Sequence, residues 1–227
     1  MACAAAQEDP VTLPHRLCLA LVQALRVDGA AIAAHTDTPL GMPLGASDDL
    51  ADTLETVQFT TGEGPCVQAA VTGHPVLVGD LHTQAPTQWP AFADIAARRL
   101  RGIGAVFAFP LRFDDTTLGS VNLYSRARRT LKPTEITDAS DAVAVAALAL
   151  LSTPGPVDTD PSPPSPTRAD PWQSMHLAIG MIAAQLHLAP GDALAHLRAY
   201  AFTHTMLLSE LATDVLNHRI DATDLRH

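Results

Sequence analysis

The chain has little with which to cross-link itself or to enter a membrane. Its cysteines are Cys3, Cys18 and Cys66, an odd number with no Cys-x-x-Cys pair and no regular spacing. That pattern supports neither a disulfide framework nor a zinc motif, and free thiols in a reducing cytoplasm are the expected state. The longest apolar run, residues 142–151, falls far short of the roughly 20 residues that span a bilayer. The N-terminal residues lack the basic cluster that opens a secretory signal, so a soluble, cytoplasmic protein is expected. Positive charge is scarce too: 14 Lys and Arg stand against 24 Asp and Glu, a net charge of −10. So acidic a chain does not draw nucleic acid or anionic membrane to its whole surface, and any RNA site has to be local and shape-reading.

Apolar residues, by contrast, make up 47% of the 227 residues, enough for one large or two modest cores. Leu17, Leu21, Ala24 and Leu25 share one face of a helix predicted over 12–27, which Asp28-Gly29 ends. Residues 29–35 read as a buried strand and 36–39 as its turn. A helix follows over 50–59, with Asp48 or Asp49 near its start. Gly62-Glu63-Gly64-Pro65-Cys66 then interrupts regular structure before a short helix over 67–72 and a short strand over 75–78. A helix over 89–100, strands over 105–111 and 118–124, and a closing helix over 133–151 complete the region. Helices set among strands in this order predict an α+β fold, a sheet domain flanked by helices over 12–152.

Residues 153–171 hold seven prolines in nineteen positions and no apolar periodicity. They predict an extended, semi-rigid linker that interrupts any continuous helix. Residues 172–227 form the second domain. Met175, Ile179, Ile182 and Leu186 mark a first helix, with Asp170 as N-cap and Pro171 in its first turn. Ala193, Leu194, Leu197 and Ala201 mark a second, and Leu207, Leu208, Leu211, Ala212, Val215 and Leu216 a third. Each is too short to be stable alone, so the stripes are expected to pack as a three-helix bundle.

Few residues offer chemistry. The Gly62–Pro65 segment lacks the Gly-Lys-Ser/Thr ending of a phosphate loop and reads as a turn whose glycines take unusual dihedrals. Cys66 is the candidate redox or ligand thiol, since a helix N-terminus acidifies a thiol. No neighbouring cysteine is present to resolve an oxidised one, and a buried, inert thiol is the commoner case. His74, Asp80 and His82 near Cys66 match no metal-ligand spacing, so no metal, no cofactor and no catalysis are expected. Arg98, Arg99 and Arg101, with Arg126, Arg128, Arg129 and Lys132, form the dense basic clusters; they read as solvated surface, with phosphate contact as the alternative. From Pro171 onward, Arg198, Arg219 and Arg226 face Asp192, Glu210, Asp214, Asp221 and Asp224. Arg198 is the best single candidate for RNA, because a guanidinium pairs with phosphate or stacks on an unpaired base. The C-terminal histidines, His204 among them, are further candidates for phosphate contact, although most imidazoles are uncharged at neutral pH.

Two stretches carry family resemblances. Ala178-x-Gly180-Met181-Ile182, Gln185-Leu186, Ala193-Leu194-x-x-Leu197-Arg198, Ala201-Phe202 and Leu211-Ala212-x-Asp214-Val215 resemble the ANTAR domain of bacterial transcription antitermination regulators. That resemblance implies binding of RNA at paired hairpins with six-base loops, so that a terminator does not form. It implies RNA contacts at Ala178 and Gly180, which permit close approach, and at Arg198 and His204. Leu177, Ile179 and Met206 stand where that family usually carries polar or basic residues. Asp28-Gly29-Ala30, Gln58-Phe59, Gly62–Cys66, Asp80-Leu81, Trp89-Pro90, Phe109-Pro110-Leu111 and Leu118-Gly119 resemble a GAF domain. This second resemblance implies a sensory module for a small-molecule ligand or a redox signal, dimerising through its terminal helices. The expectation is a signal-responsive antitermination regulator acting as a homodimer. The alternatives are a ligand- or redox-responsive dimerisation or protein-interaction module with degenerate RNA binding, and a thiol enzyme relying on Cys66.

Overall fold

The computed structural model describes residues 12–35, 41–152 and 171–226. The turn expected over 36–39, the N-cap Asp170 and nearly all of the Pro-rich linker lie outside the described residues. The first domain is a five-stranded antiparallel sheet in the order β2-β1-β5-β4-β3. Its strands are β1 (Gly29–His35), β2 (Gly41–Ala46), β3 (Val76–Val78), β4 (Ala105–Phe113) and β5 (Thr116–Ser125). Alternation along the strands separates two buried layers, as the pleat requires. Ile32, Phe107, Phe109, Val121 and Leu123 pack against α1 (Thr12–Leu25) and α6 (Pro133–Ser152). Ala31, Val106 and Tyr124 join the opposite layer with α2 (Asp49–Thr61), α4 (Leu81–Gln88) and α5 (Pro90–Arg99). The chain is held closest where β5 passes β1: a Cβ on Gly119 would lie 2.0 Å from the Ala33 carbonyl oxygen, so only glycine fits there.

The expected helices and strands of this domain are present within a few residues, and two unexpected elements join them. Strand β2 is read poorly from Gly-Met-Pro-Leu-Gly-Ala, which has no β-branched residue. It forms an edge, where Pro43 sits beside an irregularity in register. Helix α4 carries Pro86 in its interior and buries only Leu81 and Ala85, so it leaves almost no periodic signal.

Helix α2 organises the domain. Asp48 caps it, its Oδ1 accepting from the Leu50 and Ala51 amides at 2.9 and 3.0 Å and from the Tyr124 hydroxyl at 3.0 Å. Gly62, at φ +67°, closes its C-terminus. Between these ends, Leu54 through Thr60 are all buried. A helix hidden on every side has neighbours on every side, and here the second neighbour is the C-terminal bundle.

That bundle consists of α7 (Pro171–Leu186), α8 (Pro190–Thr203) and α9 (Leu208–Leu216), followed by a 3-10 turn at Asp224–Arg226. Met175, Ala178, Ile179 and Ile182 meet Leu194, Leu197 and Ala201 and then Leu208, Leu211 and Val215 in one buried core, as the apolar stripes require. Phe59 of α2 belongs to the same core, and Leu207 of the bundle belongs to the core of the sheet domain. Among the described residues, no single helix is long and apolar enough to cross a membrane.

Candidate functional site

The inner face of the sheet carries a small polar cluster. Pleat alternation turns Ser120 and Asn122 of β5 to the side opposite Val121 and Leu123, and all four are buried. Asn122 Nδ2 donates to Glu55 Oε2 at 2.6 Å, while the Cys66 thiol lies 3.6 Å from Glu55 Oε1. Gln58, one helical turn beyond Glu55, accepts the Cys66 amide on Oε1 at 2.8 Å. Burial pushes the Glu55 carboxyl up to about 7, against the opposing hydrogen bonds from Asn122 and Cys66. The Cys66 thiol is pushed well up, first by burial and then by the neighbouring carboxylate. Position near the start of α3 (Pro65–Thr72) therefore does not give a thiolate, because loss of water outweighs the helix terminus. Two polar atoms in this cluster, Gln58 Nε2 and Asn122 Oδ1, are buried with no hydrogen-bond partner among the described residues. Donor and acceptor are thus held ready at the centre of the sheet domain.

Residues 62–66 work as a junction, as the turn reading expects. Gly62 and Gly64 take φ of +67° and +133°. A Cβ on Gly64 would lie 2.6 Å from Gln58 Oε1, so glycine leaves room for the side chain that holds Cys66. Glu63 Oε2 accepts the Ala91 and Phe92 amides at 3.0 and 3.4 Å, capping α5 from a distant loop. Glu63→Ala is expected to cost about 1 kcal/mol of stability and Glu63→Gln less, since an acceptor remains; urea unfolding of the two variants measures both.

Arg198 is partly buried and turned onto the end of α2. Its Nε donates to the Phe59 carbonyl oxygen at 2.9 Å, and its guanidinium lies over the Phe59 ring, 5.2 Å from the centroid. That carbonyl belongs to the last turn of α2, which has no basic residue of its own. A cation there satisfies a terminal carbonyl and the negative end of the helix dipole together. The contact half-buries the guanidinium, and burial lowers its affinity for the proton. Next to it, the Leu208 amide at the start of α9 donates to Thr60 Oγ1 at 3.1 Å. At the exposed rim, Arg99 of α5 forks onto both Glu210 oxygens at 2.9 and 3.1 Å, and Glu210 also accepts the Leu207 amide.

The other sequence candidates divide. Ala178 is buried in the bundle core, where it sets helix packing. Gly180 is exposed, and among the described residues nothing beyond its own stretch of helix backbone comes within 4 Å of where its Cβ would stand. His204 is exposed and stacks on Tyr200 at 3.9 Å between centroids. Arg98, Arg99, Arg128 and Arg129 are engaged with Asp94, Glu210, Asp80 and Glu135. Among the described residues, no group of three or more His, Cys, Asp or Glu is placed to hold a metal. Sequence reasoning missed Glu55, Gln58 and Asn122. Polar residues are frequent along α2, so Glu55 and Gln58 carry no distinguishing linear signal, and Asn122 stands between the apolar Val121 and Leu123 of its strand.

Comparison with known proteins supports the sheet domain. The fold resembles a domain of a two-component sensor histidine kinase protein from Sinorhizobium meliloti 1021, at 14% identity and TM-score 0.50, over 64% of this chain and 92% of that one. It also resembles a GAF domain/HD domain protein from Geobacter sulfurreducens, at 16% identity and TM-score 0.49, over 65% and 95% of the two chains. The GAF-B domain of DevS from Mycobacterium smegmatis matches at 17% identity and TM-score 0.46, over 63% and 93%. At 14% identity the first of these likenesses is one of fold alone. No curated protein matches the chain. The profile of the GAF domain matches residues 9–150, more than half of the sequence, and the chain therefore belongs to the GAF family.

Proposed function

We propose that the protein is a signal-responsive regulator of transcription antitermination, in which the GAF domain senses and the C-terminal bundle binds hairpin RNA. The observation that carries this reading is the shared helix: α2 holds Glu55 and Gln58 toward the sheet while Phe59 and Thr60 hold the bundle. A change at the polar cluster therefore has a short, rigid path to the bundle. The unpaired Gln58 Nε2 and Asn122 Oδ1 suit a small polar ligand or a proton-linked signal at that cluster. The bundle resembles the ANTAR domain in its sequence pattern, and Gly180 and His204 are open to a loop base or phosphate. Cys66, neutral and 1% exposed, fits a ligand contact better than a catalytic nucleophile.

Paired hairpins call for paired bundles, and the face formed by α1 and α6 fits a second copy of the chain. Leu19, Val145, Leu148 and Leu151 are exposed there, beside a groove lined by Leu17, Leu21, Ala142 and Ala146. Such an uncharged apolar strip is costly in water and is covered in a homodimer.

The test is binding of the purified protein to an RNA with two hairpins and six-base loops, against a scrambled-loop control, over a salt series. Loop-dependent binding is expected, with log affinity falling as salt rises by roughly 0.7–0.9 per phosphate contacted. Equal affinity for both RNAs removes the RNA reading. A second reading then takes its place, a protein-interaction module, favoured by Leu177 and Phe202, which are 59% and 50% exposed on an acidic bundle.

A further inference from the structure

The residue best suited to hold RNA is spent on an internal contact. Arg198 has one Nε–H, and it is given to the Phe59 carbonyl; one face of its planar guanidinium is given to the Phe59 ring. Gly62 leaves room for it, since a Cβ there would come within 3.4 Å of a terminal guanidinium nitrogen. A phosphate gripped side-on through the Nε edge, or a base stacked on that same face, needs what Phe59 already holds. We infer that the docked bundle is an autoinhibited form, in which the last turn of α2 withholds Arg198 from RNA and undocking is the regulated step. The inference rests on the RNA reading above and says how that site is controlled.

The interface holds through buried Phe59 and Leu207, while its polar contacts can be remade with water. Its central polar bond, from the Leu208 amide to Thr60 Oγ1, is buried, and the hydroxyl also donates to the Thr56 carbonyl. Both bundle donors, Arg198 Nε and the Leu208 amide, find water on undocking, so release leaves no buried group unpaired. The rim pair Arg99–Glu210 is 42% exposed on each side, which makes it a weak and screened tether. The polar cluster lies close by on the same helix: Gln58 of the cluster immediately precedes Phe59 of the latch.

Thr60→Val separates docking from folding. Valine keeps the shape of threonine, but in the docked form it strands the Leu208 amide, a penalty that vanishes on undocking. The undocked population, and with it affinity for the two-hairpin RNA, is expected to rise about tenfold. Hydrogen exchange of the α9 amides is expected to rise alongside, with the β4 and β5 amides unchanged. Arg99→Glu sets like charges opposite Glu210 and is expected to tighten RNA binding although it adds negative charge, the reverse of a general electrostatic effect. Adding Arg198→Ala to Thr60→Val is expected to abolish the gain.

The inference is overturned if the wild type binds loops and Thr60→Val, with its bundle amides exchanging faster, binds no tighter. Unchanged exchange in both variants overturns the latch itself. Release without loop binding in any form, wild type included, is a different result: it sinks the RNA reading, and the inference with it.

Discussion

Phe59→Ala is expected to cost about 3 to 5 kcal/mol, lost from the junction between the two domains more than from the sheet domain itself. The ring is 6% exposed and contributes to the bundle core together with Leu197, Leu208 and Leu211. It is also the surface over which the Arg198 guanidinium lies. Alanine leaves a cavity between two elements that are free to separate, and separation exposes the bundle end of α2. The observable is therefore a divided one. Amides of α7 to α9 lose protection by a large factor, while those of β1, β4 and β5 keep theirs. A uniform loss across both domains, in a single transition, contradicts the placement of Phe59 at a separable interface. Leu54→Ala provides the contrast, since Leu54 belongs to the inner core of the sheet domain and its loss loosens the sheet.

The second large effect is one of pH. Glu55 ionises near 4.5 when unfolded and near 7 when folded, because the native interior lacks the water that a carboxylate needs. Raised in the folded state, this group contributes stability in full below about 4.5. The contribution is lost as pH rises toward about 7 and is absent above it. The difference amounts to about 3 kcal/mol. Glu55→Gln keeps an oxygen for Asn122 and never ionises. It is expected to remove this slope and to exceed the wild type by about 3 kcal/mol at pH 8, measured by urea unfolding at a series of pH values. The thiols do not obscure the window: burial pushes Cys18 up to about 12 and Cys66 well above its ordinary value. A wild type whose stability is flat between pH 4.5 and 7 would show that Glu55 is hydrated in solution.

Local chemistry made much of the fold readable. Asp48 before α2, Gly62 after it, Pro65 and Pro90 in first turns and the apolar spacing in α7 to α9 are signals that neighbours in sequence settle among themselves. The glycines of 62–64 were readable in the same way. What escaped is what depends on distant partners. Arg198 and Phe59 are 139 positions apart, and no periodicity announces that a cation in one domain will cap a helix in another. Arg198 in sequence is a surface arginine suited to RNA, and in the fold it is a fastening. Glu55 and Gln58 are hidden for a related reason. Their polarity suggests a solvent face, but they are buried by distant partners, Asn122 of β5 and Cys66 of α3. Likewise, an acidic thiol at Cys66 follows from the helix terminus alone, and burial reverses it.

The most direct measurement of α2 as the link between sensor and bundle is hydrogen exchange of the Leu208 amide in Asn122→Ala against the wild type. Asn122 touches Glu55 in the sheet domain and is not part of the bundle core, whereas Leu208 is hydrogen-bonded to Thr60 at the other end of the helix. The expected result is faster Leu208 exchange than global unfolding of the variant explains, judged from the β5 amides of the same protein. Leu208 exchange that changes only in step with β5 would mean that the polar cluster and the bundle are not coupled through α2.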